Sequence, residues 1–231
     1  TRHDHDGLSL RWVLVSPYPG FMNPEVREAL ASSFARRGFP LDDSQVAALS
    51  AHVALLNKWN PAVRLTGVLD PVGIAGRLLP ESLDFLGLWD PLDGEEALDV
   101  GAGAGVAGIP IGVMFPGIRM TLVESGGRKA AFLKQAVREV GVGDFQVIHG
   151  RFERLGLARA AGAPKEGRGG HLGGYDAILS RAVAPVGVLT PLVWRLLAPG
   201  GRLLVRQGRD AAAELEAARG ALDECGAFLR G

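Results

Sequence analysis

The chain has 231 residues, of which 47% are hydrophobic and 22% charged, a composition typical of a soluble globular protein with a full core. Its 25 basic and 25 acidic residues cancel, so the overall charge gives no argument for a nucleic-acid partner, which would have to bind a local basic patch. The single cysteine, Cys225, excludes an internal disulfide and a cysteine-rich zinc site, and it suits the reducing cytoplasm. No apolar run approaches the roughly 20 residues that cross a bilayer.

The first 90 residues predict a leader followed by a small helical subdomain. Residues 1–22 lack hydrophobic periodicity, and we expect a disordered leader or extension there. Capping residues followed by proline or by apolar residues at helical spacing then predict three helices. The expected helices run from Asn23 to Arg37, from Asp42 to about Pro61, and from Asp70 to an interruption at Pro80, within a subdomain over residues 23–90.

From residue 91 onward, strand patterns alternate with helical patterns. This alternation predicts an α/β domain over residues 91–231 with a doubly wound parallel sheet. Residues 162–174, which are rich in glycine, predict a mobile surface loop. Because the chain stops where a sixth strand would begin, we expect the C-terminal strands of the sheet to be incomplete. The predicted strands are residues 97–100, 120–124, 145–149, 175–180 and 203–206, and two of the predicted helices are residues 128–140 and 211–222.

The glycine-rich segment after the first of these strands is the strongest functional signal. Gly101, Gly103 and Gly105 let the backbone turn sharply and approach a ligand closely, because glycine has no Cβ. Such a turn between a strand and a helix exposes N–H groups where nucleotide-like cofactors bind. Glu124 ends the second strand about 20 residues later, the separation expected of a carboxylate that accepts hydrogen bonds from ribose hydroxyls. The pattern therefore predicts a nucleoside-containing cofactor.

NAD and S-adenosylmethionine sites share this glycine pattern, and three features favour S-adenosylmethionine. Asp99, two residues before Gly101, can meet the amino group or sulfonium of a cationic cofactor but would repel a pyrophosphate. The turn Pro199–Gly201 followed by a strand is typical of class I methyltransferases, which have a Rossmann-like sheet. No separate catalytic domain follows, whereas dehydrogenases usually need one for their substrate.

Five segments carry a family resemblance, namely Leu55–Asn60, Leu65–Pro71, Gly101–Pro110, Gly150–Glu153 and Ser180–Ala184. They resemble the RsmG family, the glucose-inhibited division protein B family of bacterial ribosomal RNA methyltransferases. The resemblance implies a class I methyltransferase fold and S-adenosylmethionine as the cofactor. It also implies methylation of N7 of a guanine in 16S ribosomal RNA, either free or within the small ribosomal subunit. We expect a cytoplasmic monomer that uses neither a metal nor a membrane.

The resemblance also assigns individual site residues. Gly101 and Val106 match cofactor-contacting positions of the glycine loop, and Glu124 matches the acidic end of the second strand. Phe152 and Glu153 match the pair that flanks the adenine, although a core phenylalanine and a helix-start acid remain alternatives. Arg181 matches a family arginine at the mouth of the active site. We expect Arg181 to be catalytic and to border the cofactor, where it would orient guanine O6 or a phosphate.

The substrate side departs from the family pattern. Arg64, Arg77 and Arg206 are the candidate substrate-binding residues, since basic side chains can bind RNA phosphates. The departures leave two alternatives open, a methyltransferase for a small molecule or protein and a non-catalytic relative that binds cofactor or RNA. The substituted positions are Arg64 for asparagine, Leu78 for histidine, Glu81 for aspartate and Gln207 for lysine.

Overall fold

The computed structural model describes residues 23–155, 174–206 and 211–227. The predicted leader, Gln207 and all but the last residue of the predicted glycine-rich loop lie outside these ranges. The described strands form one parallel sheet of five strands in the order β3-β2-β1-β4-β5, which confirms the predicted doubly wound α/β fold. The strands are β1 Glu96–Val100, β2 Arg119–Glu124, β3 Asp144–His149, β4 Tyr175–Arg181 and β5 Leu197–Arg206.

Helices cover both faces of this sheet and also precede it. The α-helices are α1 Pro24–Ala35, α2 Asp43–Val63, α3 Pro71–Gly73, α4 Gly108–Met114, α5 Gly127–Val140, α6 Val186–Val193 and α7 Ala211–Glu224. The helix α3 continues as a π-helix, Ile74–Leu78, and then as a 3-10 helix, Leu79–Gly87, and two more 3-10 helices are Phe152–Arg154 and Trp194–Leu196.

Alternate strand residues build two separate cores. Ala97 of β1 belongs to a large apolar cluster with α1, α2, α4 and α5, so the helices before the sheet share one core with that face. Leu98, the next residue, is buried on the opposite face against Leu189 and Val193 of α6. The result is a three-layer arrangement in which both faces of the sheet are covered, as a parallel sheet requires.

The three predicted helix starts are confirmed by side-chain caps. The side chain of Asn23 accepts a hydrogen bond from the Glu25 N–H, and that of Asp42 accepts one from the Gln45 N–H. Asp70 caps α3 in the same way. Because each side chain satisfies an N–H group that has no partner within the helix, these starts follow from local chemistry alone.

Two helical segments end later than predicted. The helix α2 passes through Pro61 to Val63, and the buried Asn60 fixes the turn beyond it by exchanging two hydrogen bonds of 2.9 Å with the Thr66 backbone. Helical structure also continues past Pro80 to Gly87. Pro80 lies in the first turn of the 3-10 helix, where a missing N–H costs little.

The fifth strand begins earlier than predicted. Tyr175 pairs with Leu197, whereas Ala177 pairs with Arg202, so Pro199–Gly201 bulges within β5 instead of preceding it as a separate turn. Gly200 has φ +79°, a left-handed conformation that glycine adopts without a steric penalty. The predicted turn residues therefore form a bulge within a longer strand, the last in the order of the described sheet.

Candidate cofactor and catalytic site

The predicted cofactor-binding and catalytic residues, together with Arg206, lie at the carboxyl ends of the five strands. In a parallel sheet these ends share one edge, which is where doubly wound proteins bind ligands. The residues at these ends are Asp99, Gly101, Gly103, Gly105 and Val106 for β1, Glu124 for β2, Phe152 and Glu153 for β3, Arg181 for β4 and Arg206 for β5.

The glycine loop requires its three glycines for different reasons. Gly101, Gly103 and Gly105 all have positive φ, at +65°, +56° and +68°. A Cβ at Gly101 would lie 2.7 Å from Cγ2 of Val183, and one at Gly105 would lie 2.5 Å from Cδ1 of Ile109. A Cβ at Gly103 would meet nothing closer than 3.6 Å, so this position alone leaves open space beside the loop. That space is where a ligand can approach the backbone.

Glu124 accepts hydrogen bonds from two backbone segments beside this open space. Its Oε2 accepts a hydrogen bond of 3.0 Å from the Gly103 N–H, and its Oε1 accepts one of 2.7 Å from the Gly126 N–H. The carboxylate thus joins the glycine loop to the start of α5. Each oxygen retains a second lone pair that can accept a ribose hydroxyl.

Asp99 lies beneath the loop, with only 2% of its surface exposed. Its Oδ2 accepts a hydrogen bond of 2.9 Å from the N–H of Gly108, the first residue of α4. Burial raises the pKa of Asp99 to about 7, although the Gly108 N–H acts in the opposite direction. The carboxyl group therefore supports the loop, and a cation placed beside it would favour its charged form.

The residues after β3 lie at the same edge of the sheet as the glycine loop and Glu124. Phe152 is partly buried and packs on the apolar cluster of Leu98, Val100 and Val123. Oε2 of Glu153 is buried and has no hydrogen-bond partner among the described residues. A buried acceptor without a donor is costly, so this oxygen is suited to a donor from a bound ligand.

Arg181, at the end of β4, is held by a helix that precedes the sheet. Its Nη2 donates to Oε2 of Glu81 at 2.5 Å, and Arg206 Nη1 approaches the same oxygen at 3.3 Å. Ala182, directly after Arg181, has φ +53°, a conformation that non-glycine residues adopt at a cost. The backbone thus turns sharply where it presents the arginine.

The three candidate substrate-binding arginines differ in their surroundings. Arg206 also donates from Nε to Oδ2 of Asp84 at 2.7 Å, so two carboxylates offset its charge. Arg64, which ends α2 with φ +53°, and Arg77, in the π-helix, are exposed. Neither of these two forms an ion pair with a described residue, so both remain available to an anionic partner.

The comparisons with known proteins show the family of this chain. The family model described as rRNA small subunit methyltransferase G (GidB) matches residues 45–229. The chain belongs to this family. The ribosomal RNA small subunit methyltransferase G of Chromohalobacter salexigens is 34% identical over 194 residues, which cover 84% of this chain and 85% of that protein. The protein of the same name from Marinobacter nauticus is 44% identical over 130 residues, covering 56% of this chain and 59% of that protein.

The Lys58–Asn60 segment, which carries part of the family resemblance, has a packing role. Trp59 makes an edge contact with Phe132 of α5 at a ring distance of 5.9 Å, and Asn60 orders the following turn as described above. Through Trp59, the end of α2 packs against α5, the helix that follows Glu124. The connection of this segment to the site is thus through packing.

Sequence reasoning missed one residue that touches the glycine loop, His52. Its imidazole is fully buried and bonds to the backbone oxygen of Ala104. His52 lies three residues after Leu49 and four before Leu56 in α2, a spacing that indicates burial, but no sequence signal identifies a partner in the loop.

The described residues contain no group of three or more histidine, cysteine, aspartate or glutamate side chains arranged to hold a metal ion. No helix in the described ranges is both long enough and apolar enough to cross a membrane.

Proposed function

We propose that this protein methylates N7 of a guanine in 16S ribosomal RNA, with S-adenosylmethionine as the methyl donor. The observation that carries the proposal is the match to rRNA small subunit methyltransferase G over residues 45–229. The relatives from Chromohalobacter salexigens and Marinobacter nauticus carry the same name. A ribosomal substrate would place the protein in the cytoplasm.

The residues at the sheet edge fit this cofactor. Gly103 leaves space beside the loop, and Glu124 next to it can accept ribose hydroxyls. The unpartnered Oε2 of Glu153 can accept a hydrogen bond from the adenine amino group, and Phe152 lies beside it. We expect the carboxyl group of Asp99, beneath the loop, to be the partner of the cationic end. When bound there, S-adenosylmethionine supplies a methyl carbon made electrophilic by the adjacent sulfonium.

The reaction needs positioning more than proton transfer. Guanine N7 carries a lone pair at neutral pH, and no proton has to leave before it attacks, so a general base is unnecessary. Holding the reacting atoms in line can supply roughly 7–11 kcal/mol in favourable cases. We expect Arg181 to donate to guanine O6 or to a phosphate, since a bond to N7 would occupy the reacting lone pair. Glu81 restricts the directions in which this guanidinium can point.

The RNA is proposed to contact the exposed arginines of the helical region. Arg64 and Arg77 carry charges that no described carboxylate offsets by an ion pair. Arg206 would have to exchange its carboxylate partners Glu81 and Asp84 before it could bind a phosphate. We therefore expect Arg64 and Arg77 to contribute more to RNA affinity than Arg206.

Mass spectrometry of digested ribosomal RNA tests the function. Small ribosomal subunits that lack the modification, and the RNA extracted from them, are incubated with the protein and S-adenosylmethionine, and 7-methylguanosine is quantified. The wild type should add it to 16S RNA. Arg181→Ala should slow methylation by about 100-fold, a loss typical of removing a positioned charge from an active site. Arg219→Ala, which removes an exposed arginine of α7, is the matched control and should retain full activity.

Two results would contradict this function. A wild-type protein that binds S-adenosylhomocysteine but methylates neither substrate would favour a small molecule or a protein as the methyl acceptor. A wild-type protein that does not bind S-adenosylhomocysteine would favour a non-catalytic role.

A further inference from the structure

His52 lies one layer away from the candidate site, on the buried face of α2. Its relative exposure is 0%, and its Nε2–H donates a hydrogen bond of 2.9 Å to the carbonyl oxygen of Ala104. Ala104 lies between Gly103 and Gly105 and is itself 5% exposed. The imidazole therefore reaches the centre of the glycine loop from the side opposite to the solvent.

The protonation state of His52 follows from its surroundings. A carbonyl oxygen only accepts, so Nε2 must carry the proton. Nδ1 has no hydrogen-bond partner among the described residues. Burial lowers the pKa of His52 to about 4, which keeps the imidazole neutral near pH 7. The side chain is thus a permanent donor aimed at one loop carbonyl.

An aromatic contact holds the ring in this orientation. The imidazole packs on Phe132 of α5 at a ring distance of 6.1 Å, and Trp59 packs on the same phenylalanine. Phe132 is fully buried. Because α5 begins three residues after Glu124, the phenylalanine that packs on His52 belongs to the helix that follows the proposed ribose-binding carboxylate.

The Ala104 carbonyl matters because a trans peptide is rigid. The Gly105 N–H belongs to the same peptide plane and points the opposite way, where it donates to the Ala102 carbonyl oxygen at 2.7 Å. The hydrogen bond from His52 therefore restrains this peptide plane at its carbonyl oxygen, and the tight turn of residues 102–105 restrains it at its N–H group. Gly103, the open position, lies within that turn.

We propose that His52 is a positioning residue for the S-adenosylmethionine site, acting through the Ala104 carbonyl to set the shape of the glycine loop. The inference rests on the proposed cofactor site and extends it to a residue that does not touch the cofactor. Loss of the donor leaves the Ala104 carbonyl without a partner, and the loop then adopts other arrangements that bind the cofactor less well.

Calorimetric titration with S-adenosylhomocysteine tests the inference on the whole chain. His52→Phe and His52→Leu remove the donor, whereas His52→Gln places an amide N–H at a similar distance from the backbone. The two non-donor variants should bind about tenfold more weakly, the scale expected for one buried carbonyl left unpaired. His52→Gln should remain within about threefold of the wild type, since it restores the bond. Ser50→Ala, which removes a buried hydroxyl bonded within α2 itself, is the matched control and should bind as the wild type does.

A second measurement separates positioning from general stability. The KM for S-adenosylmethionine should rise in His52→Phe while the KM for the ribosomal substrate stays unchanged. Non-donor variants that melt at a lower temperature but bind S-adenosylhomocysteine with wild-type affinity would overturn the inference and leave the proposed function intact. Failure of the wild type to bind would overturn the proposed function and the inference together.

Discussion

Arg181 Nη2 donates to Glu81 Oε2 at 2.5 Å, although the two residues are 100 positions apart in the chain. The contact joins the carboxyl end of β4 to the 3-10 helix Leu79–Gly87. Since Arg206 approaches the same oxygen, one carboxylate orients the guanidinium groups of two neighbouring strands. The helical region before the sheet thus takes part in the candidate catalytic site.

Replacing this carboxylate should separate orientation from stability. Glu81→Gln keeps the shape of the side chain but removes its charge, and we expect kcat to fall about tenfold because Arg181 is no longer held. The ion pair is partly exposed, so the free energy of unfolding should fall by only about 1 kcal/mol. Steady-state kinetics and urea unfolding measure the two effects.

Asp84→Asn is the matched control for Glu81. The substitution weakens the ion pairs that Asp84 forms with Arg37 and with Arg206, but it leaves the bond between Arg181 and Glu81 in place. We expect a similar small loss of stability with kcat near that of the wild type. An equal loss of kcat in both variants would show that the orientation of Arg181 does not depend on Glu81.

Alanine substitutions at two glycines with a similar backbone conformation separate the effect of backbone strain from the effect of ligand contact. Gly103 and Gly141 have φ +56° and +66°, and an alanine at either position costs about 1–2 kcal/mol of unfolding free energy. Only Gly103 borders the candidate ligand, whereas a Cβ at Gly141, at the end of α5, meets nothing within 4 Å. Gly103→Ala should therefore lose S-adenosylhomocysteine affinity by at least about tenfold in calorimetry, as expected for a side chain forced into a close-packed contact. Equal affinity of the two alanine variants would exclude close approach of the cofactor at Gly103.

Two buried groups should make opposite contributions to the pH dependence of stability. The pKa of Asp99 rises from 3.8 to about 7 on folding. Its contribution to the free energy of unfolding is therefore fully present below pH 3.8 and is lost as the pH rises through 7. The pKa of His52 falls from 6.5 to about 4, so its contribution is present above pH 6.5 and is lost as the pH falls through 4. Between its unfolded and folded pKa values, each group changes the free energy of unfolding by up to about 1.4 kcal/mol per pH unit. The two changes have opposite signs.

Single variants should reveal these two changes. Relative to the wild type, the unfolding free energy of Asp99→Asn should increase from pH 5 to pH 6.5, because the contribution of His52 is then unopposed. That of His52→Phe should decrease over the same range. Urea unfolding at the two pH values measures both changes, and the double variant should again follow the wild type. Parallel pH profiles for all four proteins would show that neither group changes its pKa on folding.

Salt dependence tests the contacts with RNA. If Arg64 and Arg77 neutralise phosphates, replacing either one by alanine should weaken binding and reduce the slope of log affinity against log salt by about 1. Arg219→Ala should leave the slope unchanged, because this residue pairs with Glu216 on α7. Filter binding of a 16S RNA fragment between 50 and 200 mM salt, about the range over which such contacts weaken markedly, measures the slope. A slope that none of these substitutions alters would place the RNA surface elsewhere.

The sequence by itself determined the parts of the protein that depend on neighbouring residues. The caps at Asn23, Asp42 and Asp70 satisfy helix N–H groups within a few positions, so the helix starts were predictable. Alternation of strands and helices implies parallel strands, whose carboxyl ends meet at one edge. The glycine loop and Glu124 therefore had to lie close together, and the Gly103 N–H does donate to that carboxylate.

Only the tertiary structure decided which side chains meet across the layers. The partners Arg181 and Glu81, Arg206 and Asp84, and His52 and Ala104 lie 100, 122 and 52 positions apart. Local propensity and periodicity state that a residue is buried or exposed, but they contain no information on the helix or strand that packs against it. For the same reason, the sequence predicted Arg206 as a candidate for binding RNA phosphates but not the two carboxylates that packing of the 3-10 helix against β5 brings to it.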